Sequence, residues 1–103
     1  MAIQNATKNA ILVPFDVMKL CYESMELIKV MVKEGNPNSI TDGGVGALCA
    51  RTGVIGAFLN VKVNCKDLND KEFVKNILEE AENIANLAKE KENEIIEIVN
   101  QKI

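Results

Sequence analysis

The sequence contains no histidine. That removes the commonest acid–base side chain and the commonest transition-metal ligand. Catalysis by this chain would have to use carboxylates, lysine, the single tyrosine, cysteine or backbone dipoles. The three cysteines, Cys21, Cys49 and Cys65, are odd in number and lack metal-site spacing. Each lies in or beside an apolar run, which predicts buried, reduced thiols and a cytoplasmic setting. Residues 1–9 lack the basic start and apolar core of a signal peptide. Strand-like alternation is confined to residues 60–64, and neither repeats nor low-complexity segments occur. The net charge of −3 gives no reason to expect nucleic acid or a membrane as a partner.

What the sequence does contain is one long run, residues 43–63, with few charges and five glycines, at 43, 44, 46, 53 and 56. Pro37 and its asparagine neighbours form a turn before it, and Ser39 with Asp42 has the spacing of a capping box. At helical period the run separates into two faces. Gly43, Gly46, Ala47, Ala50, Gly53, Ala57, Asn60 and Asn64 share one; Val45, Leu48, Thr52, Ile55, Leu59 and Val63 hold much of the other. Arg51 and Lys62 form a narrow polar edge. Each glycine costs about 0.8–1 kcal/mol against alanine inside a helix. Close packing or a ligand would justify that cost; a flexible loop is the other reading, and the regular apolar spacing opposes it. The run also opposes a membrane span, being laden with glycine and broken by Arg51 and Lys62.

The rest of the chain, one domain over residues 1–103, reads as helix around this rod. Residues 2–12 predict a short helix; Pro14 ends that pattern and begins a second, closed by Gly35 as a C-cap. Its expected buried stripe runs through Val17, Leu20, Cys21, Leu27, Ile28, Met31 and Val32, with Met18, Met25 and Met31 as core filler. Asn69, with Glu72 behind it, reads as the N-cap of a last helix over residues 70–101. Ile77, Ala81, Ile84, Ala88, Ile95, Ile98 and Val99 mark its buried side, and residues 89–94 read as a solvated interruption. The fold class is therefore all-α: an antiparallel helical bundle with a buried glycine-rich central helix. That helix needs neighbours on nearly every side, and the chain supplies two. Oligomerisation or a longer polypeptide would complete it.

Residues 35–47 read Gly-Asn-Pro-Asn-Ser-Ile-Thr-Asp-Gly-Gly-Val-Gly-Ala, and residues 56–64 read Gly-Ala-Phe-Leu-Asn-Val-Lys-Val-Asn. Together with Ala-Ile-Leu-Val-Pro at 10–14, they resemble the cyclodeaminase/cyclohydrolase family. That family comprises the C-terminal domain of formiminotransferase-cyclodeaminase and stand-alone methenyltetrahydrofolate cyclohydrolases. The resemblance implies an all-helical, dimeric fold that binds tetrahydrofolate derivatives between helices. Family domains are about twice this long and open with a Gly-Gly-Gly-Ser segment and an acidic stretch. Neither is present, so the chain is expected to be the C-terminal half of such a domain, and activity is not implied for that half.

The implied chemistry closes or opens a ring through a tetrahedral carbon and a cationic one-carbon group. It asks for a proton shuttle and stabilisation of positive charge, with a tetrahydrofolate derivative as substrate and no redox cofactor or metal. Asp42, in the first turn beside the unpaired helix amides, is the first candidate. It suits pairing with a cationic carbon or a pterin N–H; a plain cap is the alternative. Asn36, Asn38 and Ser39 are candidates for the pterin or simply turn formers. Asn60 and Asn64, amides on the small-residue face, either bridge to a neighbouring helix or line a polar cleft. Arg51 or Lys62 could meet the folate glutamate carboxylates or lie on a solvated edge. The competing function is a non-catalytic module that self-associates through its glycine face.

Overall fold

Pro14 does not end a helix. In the computed structural model, which describes residues 2–103, one helix α1 (Ala2–Glu34) runs straight through it. A 3-10 turn (Pro37–Ser39) follows, then α2 (Ile40–Cys65) and α3 (Lys71–Lys102). Among the described residues there is no strand, and residues 60–64 are helical. An interior proline removes one helix hydrogen bond and crowds the carbonyl four residues back, together costing about 3 kcal/mol. Here that carbonyl, on Ala10, accepts instead from the side chain of Asn64 at 3.2 Å. The neighbouring helix provides the partner that the sequence period could not reveal, and the two expected helices are one.

The ends also differ from expectation in instructive ways. Gly35 follows α1 directly, but its φ is not positive, so it is not a left-handed cap. A side chain there would collide with the carbonyl of Met31, and the last carbonyls of α1 are met from elsewhere. Lys102 Nζ donates to those of Val32 and Lys33 at 2.7 and 2.6 Å. Ser39 occupies the N-cap of α2 without a side-chain cap bond, so the capping box does not form. The turn is held by Asn36, whose Oδ1 accepts from the backbone N–H of Asn38 at 2.9 Å. At α3 the cap is Asp70 rather than Asn69: its Oδ1 accepts from the Phe73 N–H at 3.1 Å. The Asn69 N–H donates to Gln4 Oε1 on α1.

The three helices form a rod of 54 × 18 × 16 Å. α2 runs antiparallel to α1, with Ile28 at Gly46, Cys21 at Gly53 and Ala10 at Asn64. It also runs antiparallel to α3, with Val99 at Gly44 and Glu92 at Arg51. α1 and α3 are parallel, tied by Lys8–Asp70 at one end and Lys29–Glu94 further along. The core is a seam of Ile11, Phe15, Met18, Met25 and Val32 against Val54, Val61, Leu68, Ala81 and Ile95. Fully burying a side chain such as Met18 is worth about 1.5–3 kcal/mol, against 0–1 kcal/mol for an exposed ion pair such as Lys19–Asp16. The seam, not the charge, holds the rod.

Four expectations about burial are corrected in whole or in part. On α1 the buried stripe is Ile11, Met18, Met25 and Val32, while Val17, Leu20, Leu27 and Met31 are bare, Leu27 to 70%. The helix has two apolar stripes, and only one meets both neighbours. α2 is covered on the sides facing α1 and α3 and bare on a third, where Val45, Leu48, Leu59 and Val63 are about half exposed. Cys49 lies on that bare side; only Cys65 is fully buried, and burial pushes its thiol pKa up. Residues 89–94 are solvated only in part: Lys89, Glu90, Asn93 and Glu94 are exposed, while Lys91 and Glu92 turn inward. Lys91 and Glu92 keep only 13% and 15% of their side chains exposed, and Lys91 pairs with Glu26 at 3.0 Å. By length and composition Pro37–Cys65 could cross a membrane, a test that a core helix also passes.

Asp70 gives the fold an acid-sensitive joint. The Phe73 N–H and then the Lys8 ammonium hold its carboxyl below the ordinary aspartate pKa. A carboxyl depressed in the folded state adds stability above its unfolded pKa and loses it as pH falls through the folded one. Urea midpoints should therefore drop as pH is lowered below about 4. Asp70→Asn, which can still cap but does not titrate, should flatten that part of the profile.

Candidate functional site

Where α1 and α2 meet, small residues keep side chains out of the way and leave a groove. Ala10, Gly53 and Ala57 form its narrow part, Val13, Pro14 and Val17 its apolar wall, and Asn60 and Asn64 its polar end. Its volume is about 420 Å³. A Cβ on Gly53 would come within 3.0 Å of Cys21 Sγ, and one on Gly43 would run into Val32. The glycines therefore set the helix separation that shapes the groove.

The two asparagines behave differently. Both hydrogens of Asn64 Nδ2 are committed, to the carbonyls of Ala10 (3.2 Å) and Asn60 (3.0 Å). Asn60 makes no side-chain hydrogen bond among the described residues, so its carboxamide is open to a ligand. Of the two open readings, bridge or cleft, Asn64 takes the first, and both residues border the second.

The other sequence-predicted residues lie elsewhere. Asn36, Asn38, Ser39 and Asp42 are exposed at the far end of α2. Eighteen residues separate Asp42 from Asn60, about 27 Å along the helix. The Asp42 carboxylate makes no ion pair among the described residues. Arg51 sits midway on the side facing α3, with Nε 3.5 Å from Glu92 Oε2. Those two atoms are buried with no hydrogen-bond partner. Lys62 places its ammonium 4.2 Å over the Phe58 ring. One chain thus divides the candidates among three places. The groove wall of Val13, Pro14 and Val17 was not foreseen. The available signal was Pro14 itself, since a proline four residues after Ala10 leaves a carbonyl for another helix to satisfy.

A second depression of about 330 Å³, between α1 and α3, is lined by Lys29, Lys33, Glu94 and Glu97. Its charges are mixed, and one pair is joined: the Lys29 ammonium holds the Glu94 carboxyl below its usual pKa range. Among the described residues no three of His, Cys, Asp and Glu gather as a metal-ion site.

Comparison with known proteins bears on the whole chain. A family model described as formiminotransferase-cyclodeaminase matches residues 1–83. The chain is similar to a methenyltetrahydrofolate cyclohydrolase of Methylorubrum extorquens: 38% identical over 101 residues, covering 98% of this chain and 49% of that protein. It is also similar to a formimidoyltransferase-cyclodeaminase of Dictyostelium discoideum: 33% identical over 102 residues, 99% of this chain and 19% of that protein. A formimidoyltransferase-cyclodeaminase of Rattus norvegicus is 31% identical over 72 residues, covering 70% of this chain and 13% of that protein. The chain spans about half the length of the first of these relatives and less of the others.

The Arg51–Glu92 contact lends itself to a direct test. Removing one partner of a mostly buried pair leaves the other uncompensated, whereas replacing both with apolar groups does not. Glu92→Ala should lower unfolding stability by about 1–3 kcal/mol, a range reduced from that of a fully buried pair because Arg51 is partly exposed. The double variant Arg51→Met/Glu92→Leu should recover most of that loss in urea titrations.

Proposed function

This chain belongs to the formiminotransferase-cyclodeaminase family, and from that premise we propose that it is part of a folate one-carbon domain. The substrate would be formimino- or methenyl-tetrahydrofolate, handled as a cyclodeaminase or a cyclohydrolase. The observation that carries this reading is the groove between α1 and α2, with apolar walls and one free carboxamide at its end. A ring with polar edges fits such a place: its faces meet Val13 and Val17, and an edge meets Asn60.

In cyclodeamination N10 of the folate joins the formimino carbon and ammonia leaves; in the hydrolase reaction water adds to the methenyl carbon and the ring opens. Neither changes the oxidation state of that carbon, so a redox cofactor is not needed. Both pass a cationic one-carbon group, for which Asp42 is the proposed counter-charge. Asn38 and Ser39 are proposed to meet the pterin, while Asn36 is already used in building their turn. Arg51, engaged with Glu92, is the weaker candidate for a glutamate carboxylate.

Asp42 and the groove lie too far apart within one chain to serve one carbon atom. We therefore read the chain as a homo-oligomer, in which a second copy covers the bare side of α2 and makes it a central helix. Two observations support this. The bare side carries Val45, Leu48, Thr52, Leu59 and Val63 and no charge, and Val17, Leu20 and Leu27 of α1 are exposed as well. Gly56 faces open space, so nothing within the chain compensates the glycine there. The three unpaired cysteines support a reducing, cytoplasmic setting. The same bare side favours the second reading, a self-associating module without catalysis.

Calorimetric titration with a tetrahydrofolate derivative separates the two readings. Asp42→Asn and Asn60→Ala should each weaken binding by roughly 5–20-fold, the effect of losing one hydrogen bond or ionic contact. An assembly that takes up no folate would leave the module reading. Sedimentation at micromolar concentration should show twice the 11.3 kDa chain mass. Gly56→Ala should shift that equilibrium toward single chains while raising their helix stability; a wild-type sample holding only single chains would overturn the oligomer.

A further inference from the structure

Inside an α-helix each carbonyl is met by the N–H four residues ahead. For Ala10 that residue is Pro14, whose ring nitrogen carries no hydrogen. α1 nevertheless continues through this point without a break. The missing donor arrives from the facing helix, where Asn64 Nδ2 lies 3.2 Å from the Ala10 carbonyl. Its second hydrogen goes to the Asn60 carbonyl at 3.0 Å, which fixes the side chain against its own helix. Ala10, Pro14 and Asn64 all line the groove, so this contact spans the groove from one helix to the other.

We infer that the two asparagines divide the work: Asn64 is a positioning residue that replaces the N–H withheld by Pro14, and Asn60 is the carboxamide that meets the ligand. The inference rests on the groove being the folate site proposed above. Pro14 and Asn64 then form a unit. The proline frees a carbonyl at the α1–α2 contact, and the asparagine uses that carbonyl to set the spacing of the two helices. With an ordinary residue at 14 the carbonyl is satisfied within α1, and the cross-helix bond becomes dispensable. Asn64 has no donor left over for a ligand, whereas Asn60 has its whole carboxamide.

A double-mutant cycle tests this on the intact chain, with 5-formyltetrahydrofolate as the probe. Asn64→Ala alone should lower Tm by roughly 4–8 °C, the effect of one lost hydrogen bond in a domain of this size, and weaken probe binding. Pro14→Ala returns an N–H to Ala10, so in that background Asn64→Ala should cost little further Tm or probe binding. Asn60→Ala should weaken probe binding, and Pro14→Ala should not restore it. Equal Tm losses from Asn64→Ala with and without Pro14 would overturn the inference. So would a loss of probe binding from Asn64→Ala that is as large in the Pro14→Ala background as in the wild type, because Asn64 would then contact the ligand itself. If no variant and no wild-type chain binds the probe while the Tm cycle is coupled, the groove loses its folate assignment and the Pro14–Asn64 unit stands.

Discussion

Side chains of α1 enter α2 at places where α2 has none. Val32 lies over Gly43, Ile28 over Gly46 and Cys21 over Gly53, so the two helix backbones approach along most of their length. Everything else in the rod follows from that closeness. It lets Asn64 reach the backbone of α1, and it leaves a narrow groove where the small residues continue past the last large one. It also leaves the remaining apolar residues of both helices facing outward. A methyl group at Gly43 or Gly53 would need Val32 or Cys21 to yield, and a packed seam of this kind has little room to yield.

The charges are arranged on the opposite principle. α3 carries its acids and lysines toward the other helices as well as toward water, and the middle of the rod is crossed by Lys91–Glu26, Lys29–Glu94 and Arg51–Glu92. Such pairs add little net stability, because desolvation offsets much of the attraction. Their value is registry. Each joins α3 to one position on a neighbour, and a shift of α3 by one turn would separate all three. Apolar contacts alone tolerate such sliding more readily.

The fold class was legible in the sequence because apolar spacing and the absence of strand alternation both point to helices. The stripe on α3 from Ile77 to Val99 could be read directly, since one face of that helix is apolar and the other charged. On α1 the same method mixed two stripes: Cys21, Ile28 and Val32 do pack inward, whereas Val17, Leu20, Leu27 and Met31 do not. Leu20 and Leu27 are as hydrophobic as Met18 and Met25, and periodicity does not say which set meets two neighbours. Pro14 misled for a related reason: whether a proline breaks a helix depends on what stands opposite its orphaned carbonyl, and that is a tertiary fact. The site was legible only in pieces. Asn60 and Asn64 were found as amides on a small-residue face, but their distance from Asp42 follows from helix length. Nothing in residue type could have shown that Asn64 is spent on a backbone.

Lys102 adds a constraint of another kind. By donating to the last carbonyls of α1, the final turn of α3 closes the end of the rod at which the 36–42 turn emerges. Terminal helical turns are the first to fray. Each fraying event there would release the ammonium, uncap α1 and slacken the loop beside it. Loss of that one clasp would thereby reach the Asp42 end from a lysine remote in the sequence.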